Sequence, residues 1–69
     1  MTKEIKQIIP GKFYCNKQFR SRYILVWSKT DKENYLCSFQ RANKLSREKK
    51  NIYEEYILRY YEEWTEMYG

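Results

Sequence analysis

The chain has no histidine, a single proline (Pro10) and two glycines, Gly11 and Gly69. Without histidine it lacks the commonest general base and the commonest metal ligand. Two isolated glycines cannot build a phosphate-cradling loop, and neither sits in a P-loop or dinucleotide fingerprint. Cysteine is scarce too. Cys15 and Cys37 stand 22 positions apart with no CxxC spacing, a poor zinc site. Both read as half-buried strand residues, with a disulfide as the lesser alternative. No apolar run approaches the roughly 18–20 residues a membrane span requires. The polar start, Met1 to Lys6, carries no signal peptide pattern. A cytoplasmic location is therefore expected (host cytoplasm if the source is viral), with reduced thiols. The paired carboxylates, Glu54/Glu55 and Glu62/Glu63, read as the solvated face of a helix. The expectation is a protein that is not an enzyme: no catalytic residue, no metal, no cofactor, no small-molecule substrate and no membrane partner.

What the chain does have is aromatic rings and charge. With 69 residues it has room for one domain, spanning 1–69, and 19% of its residues are aromatic, including eight Tyr. Each ring can bury on the order of 150–250 Å², an efficient way to build a small core. Beside 42% hydrophobic residues, the 33% that are charged mark a globular chain and not a disordered one. The charges are unevenly placed. Residues 1–50 carry 13 Lys or Arg against 4 Asp or Glu, and residues 51–69 carry 1 against 5. The net values, +9 and −4, make the molecule dipolar, with one pole suited to a polyanion.

Along the chain, residues 1–9 read as an N-terminal arm, and Pro10-Gly11 as a turn. A three-stranded antiparallel sheet is expected over 12–40. Its strands are Lys12 to Asn16, the β-branched and aromatic Arg22 to Lys29, and the alternating Tyr35 to Gln40. The five-residue apolar run Tyr23-Ile24-Leu25-Val26-Trp27 suggests a central strand covered on both faces for part of its length. Thr30 to Asn34 is a polar break of hairpin length. Two registers are open. A five-residue loop sets Leu25 and Trp27 opposite Phe39 and Cys37, whereas a four-residue loop sets Ile24 and Val26 there. From Ser46, a candidate N-cap, to Tyr68 the spacing predicts one amphipathic helix. Tyr53, Tyr56, Ile57, Tyr60, Tyr61, Trp64, Met67 and Tyr68 would form its core stripe. Glu54, Glu55, Glu62, Glu63 and Glu66 would form an acidic outer face interrupted by Leu58. The fold class expected is thus α+β, a small three-stranded sheet followed by one C-terminal helix. An SH3-like small barrel plus helix is the alternative.

Two functions fit these features. The first is DNA or RNA binding through a basic, aromatic-bearing sheet face. Lys17, Arg20, Arg22, Arg41 and Lys44 would neutralise phosphates, while Tyr23 and Trp27 meet bases or groove walls. A solubilising basic surface is the plainer explanation of the same charges. The second is a protein-interaction or inhibitor module. Small Lys- and Tyr-rich proteins of this style are used by phages and mobile elements against host machinery or defence. Here Glu54, Glu55, Leu58, Glu62, Glu63 and Glu66 would meet a host protein.

The succession Arg22-Tyr23-Ile24-Leu25-Val26-Trp27, turn, Tyr35-Leu36-Cys37-Ser38-Phe39, helix resembles a known kind of module. It is similar to the three-stranded-sheet-plus-helix DNA-binding modules at the N-termini of some tyrosine integrases. The likeness covers about half the chain and implies a sheet inserted into the major groove. Its Tyr-rich final segment departs from that pattern.

Overall fold

The computed structural model describes residues 4–41, 44 and 46–64. Pro10 and Gly11 make the first turn. The Lys12 N–H reaches the Ile9 carbonyl at 3.3 Å, and Gly11 sits at φ +92°, where a side chain would be strained. Strand β1 (Phe13–Asn16) follows. Asn16 Oδ1 then accepts from the backbone N–H groups of Gln18 and Phe19, at 2.8 and 2.9 Å, and turns the chain toward β2 (Arg22–Asp31). The tight turn Lys32-Glu33 leads into β3 (Asn34–Arg41). Asp31 holds it, accepting from the Glu33 N–H at 2.9 Å and from the Asn34 side chain at 3.0 Å.

Ile24 stands opposite Phe39 and Val26 opposite Cys37, the second of the two registers. The loop is nonetheless shorter than either alternative assumed. Irregularities at Trp27 and Thr30 take up the difference, each leaving a residue of β2 unpaired. As its composition suggested, β2 is central, with Ile24 and Val26 fully buried.

The C-terminal third overturns the expected fold. The single helix over 46–68 is not formed, and the sheet has five strands where three were expected. Lys49–Tyr53 is strand β4, Glu54–Tyr60 is a seven-residue helix α1, and Tyr61–Glu63 is strand β5. The sheet order is β4-β3-β2-β1-β5, antiparallel throughout. β4 and β5 stand at the two ends of that order, and the long terminal helix that the SH3-like alternative also required is not formed among the described residues. The reason is physical. Ile52, Tyr53, Tyr60 and Tyr61 fit a pleated surface at least as well as a helix. The bare edges of β3 and β1 offered them ladder hydrogen bonds. β4 took the first edge, with Cys37 opposite Lys50, and β5 the second, with Asn16 opposite Tyr61. Ser46 caps no helix. Its backbone N–H and C=O are held instead by the Gln40 side chain, at 2.7 and 2.8 Å.

The core lies on one sheet face: Tyr14, Ile24, Val26, Tyr35, Cys37, Ile52 and Tyr61, covered by Ile57 of α1. The N-terminal segment contributes more than an arm. Ile8 is buried in this core and Ile5 packs against it, while the Tyr14 hydroxyl accepts from the Ile9 N–H at 2.8 Å. The opposite face carries a second aromatic group. Trp64 meets Phe13 and Tyr23 edge-on, with ring centroids 6.1 and 5.7 Å apart. Ser38 and Gln40 are buried on that face, and the Trp27 indole N–H donates to Ser38 Oγ at 3.0 Å. The expected Tyr/Trp core stripe is broken, since only Ile57 and Tyr61 are buried from it. Tyr53, Tyr56, Tyr60 and Trp64 remain exposed, and Met67 and Tyr68 lie outside the described residues. No described helix is long and apolar enough to cross a membrane.

Candidate nucleic-acid interface

Alternation along β2 and β3 puts Arg22 on the face of Ile24 and Arg41 on the face of Phe39, and the register sets the two arginines directly opposite. Like charges so placed repel and weaken a strand pair. Backbone bonds add to this grouping. Arg41 and Lys44 exchange N–H to carbonyl bonds of 3.1 and 3.2 Å, which brings a third cation to the same end of the sheet. The Arg22 guanidinium stands 4.6 Å from the centre of the Phe19 ring, a cation–π contact.

Between this end of the sheet and α1 lies a cleft of about 410 Å³, within the usual range for ligand sites. Arg22, Arg41, Phe19, Phe39, Tyr56 and Tyr60 supply most of its chemistry, and no Asp or Glu is among its lining residues. Phe39 is 39% exposed, and Tyr56 and Tyr60 are each 44% exposed. The rings of Tyr56 and Tyr60 are 4.8 Å apart and tilted. Tyr61 forms part of the floor. Burial pushes its phenol above its ordinary pKa, against a lowering by a hydrogen bond from Asn16, so it stays neutral. Two smaller clefts adjoin. One, of about 220 Å³, is lined by Phe39, Lys50, Asn51, Ile52, Tyr53 and Tyr56. The other, of about 280 Å³, includes Glu55 and Arg59.

The expected nucleic-acid-binding set divides. Arg22, Tyr23 and Arg41 line the large cleft, with Lys44 bridged to Arg41. The Tyr23 ring, however, also packs against Trp64. Lys17 Nζ is turned to Glu4 and to the Leu58 carbonyl, both at 3.5 Å. Arg20 binds Glu62 at 2.6 Å. Trp27 lies five residues along β2 from Arg22, roughly 17 Å away, under the Lys49 ammonium at 4.2 Å. It therefore belongs to a different surface.

The acidic surface expected of a long helix does not assemble. Glu54, Glu55 and Leu58 are on α1, but Glu62 and Glu63 belong to β5, and Glu66 lies outside the described residues. Glu62 is only 2% exposed and faces Cys15 across the β1–β5 ladder. Phe39, Tyr56 and Tyr60 were missed as contact residues because helical spacing assigned the tyrosines to the core. The number of rings was the available signal: one short stripe in so small a domain cannot bury them all.

Both thiols are buried, which raises their pKa values, Cys37 to about 11, and keeps them protonated at neutral pH. No protein family, curated protein or solved structure matches the chain.

Proposed function

We propose that the chain is a non-enzymatic nucleic-acid-binding module whose contact surface is the cleft at the Arg22–Arg41 end of the sheet. One observation carries this reading. Two arginines face each other across a strand pair, beside exposed rings, in a cleft whose lining has no carboxylate. Phosphate would relieve the repulsion, and the rings offer faces to bases. The basic sheet face first expected is thereby narrowed: Arg22, Arg41 and Lys44 are its phosphate contacts, and Trp27 and Arg20 fall outside it. The major-groove insertion suggested by the integrase-like topology is set aside, because α1 and the rings crowd the basic end. A cytoplasmic location goes with this reading, since Cys15 and Cys37 are free thiols. Inhibition of a host protein through an acidic helix has less support, because Glu62 is buried and the helix is short.

Salt titration of binding to single-stranded and duplex DNA and RNA tests the proposal. Affinity should fall steeply with salt, and Arg22→Gln, Arg41→Gln or Lys44→Gln should each reduce the slope by about 1. Absence of binding at low salt refutes it.

A further inference from the structure

The large cleft and its 220 Å³ neighbour share a wall made of Phe39 from β3 and Tyr56 from α1. Each compartment has cations and an exposed ring that the other lacks. Arg22 and Arg41 stand with Tyr60 on one side, and Lys50 with Tyr53 on the other. Neither lining contains Asp or Glu. Lys50 Nζ is 6.0 Å from the centre of the Phe39 ring, so the second cation lies beside the wall itself.

The wall is braced. The Glu54 N–H donates to the Glu33 carbonyl at 2.7 Å, tying the start of α1 to the β2–β3 turn. The Lys17 N–H donates to the Tyr60 carbonyl at 2.9 Å, tying its end to the β1–β2 connection. Ile57 is fully buried between these ties. Two rings are thus held partly exposed on anchored elements, although burying them would have stabilised so small a protein.

We propose that these adjoining clefts hold two consecutive nucleotides of a single strand, their bases splayed to either side of the Phe39–Tyr56 wall. Arg22 and Arg41 take the phosphate of the first nucleotide, and Lys50 the phosphate of the second. This rests on the nucleic-acid reading above and adds strand state, site length and the separating wall. A duplex fails here because its bases show only their edges, and ring stacking requires an unpaired face. An acidic peptide would meet the cations but leave the rings without flat partners.

Fluorescence anisotropy with labelled decamers tests the proposal. The strands are an intact single strand (RNA and DNA versions), the same sequence as duplex, and a fully abasic strand of equal charge. The intact strand should bind about tenfold or more tightly than either alternative, the scale of one or two stacked bases. Phe39→Leu and Tyr56→Leu should each remove most of that preference while leaving the salt slope unchanged. A dinucleotide should compete about tenfold better than a mononucleotide. Lys50→Gln, at an exposed position that leaves the fold intact, should erase the dinucleotide advantage without weakening the mononucleotide. Equal, salt-dependent binding of intact and abasic strands overturns the two-nucleotide proposal and leaves the electrostatic one standing. Equal competition by mono- and dinucleotide overturns it too. Failure of every strand to bind removes both.

Discussion

The β1–β5 edge contains a pair whose two halves are unequally buried, and removing them one at a time should have unequal effects. The Glu62 side chain is 3% exposed and the Arg20 side chain 56%. Glu62 Oε1 accepts from Arg20 Nη1 at 2.6 Å, whereas Oε2 is buried without a hydrogen-bond partner. Arg20→Ala would leave a carboxylate enclosed beside Cys15 with its cation gone. Breaking a buried pair in this way costs about 3–5 kcal/mol. Arg20 is largely in water, where ion pairs are weaker, so about 2–3 kcal/mol is the reasonable figure here. For a chain of this length total stability is roughly 3–10 kcal/mol, so the loss would be a large share of it. Glu62→Gln, in contrast, keeps the shape and leaves no buried charge, at about 1 kcal/mol. The double variant Arg20→Ala/Glu62→Gln has no buried charge left and should be more stable than Arg20→Ala alone. Urea unfolding followed by tryptophan fluorescence measures all three. Arg20→Ala costing no more than Glu62→Gln, or a double variant that does not recover stability, would refute a buried charge held by Arg20.

Three further outcomes follow from the same structure. Arg41→Gln relieves the repulsion with Arg22 and should raise stability by a few tenths of a kcal/mol while weakening nucleic-acid binding; a loss of stability would count against an unsatisfied cation pair. Gly11→Ala should cost about 1–2 kcal/mol, because φ is +92° and the added methyl meets nothing within 4 Å to offset the strain. A melting temperature lower by several degrees is the expected reading. Stability should also fall at alkaline pH. Burial raises the Cys37 thiol from 9.0 to about 11, so between those values the unfolded chain has lost its proton and the folded one has kept it. The loss should reach about 1–2 kcal/mol after allowance for solvent screening, with Tyr61 shifted in the same direction by its burial. Cys37→Ala should flatten this fall in urea midpoints between about pH 8.5 and 10.5.

Helix and strand compete most closely in residues 46–64. Tyr53, Tyr56, Ile57, Tyr60 and Tyr61 satisfy a helical period, yet residues of these types also have high strand propensity. A local reading finds the period and stops there. It cannot see that β3 and β1 each had an open edge, and those edges drew off both ends of the segment. The functional reading shows the same division. Arg22 and Arg41 stood out by charge, but nothing local sets them opposite each other, 19 positions apart. Phe39 and Tyr56 come from an expected strand and an expected core stripe, and only the packing of α1 makes them one wall.

What the sequence determined by itself is the β2–β3 hairpin, the Pro10-Gly11 turn and the cationic character of the first fifty residues. These follow from near-neighbour physics: strand alternation, φ preferences and the count of charges. The tertiary structure decided the identity of the C-terminal third, the burial of Glu62 and the assembly of the two clefts. Each of those depends on which distant backbone edge is free to pair, and hydrogen bonding between remote segments leaves no period in the sequence to read.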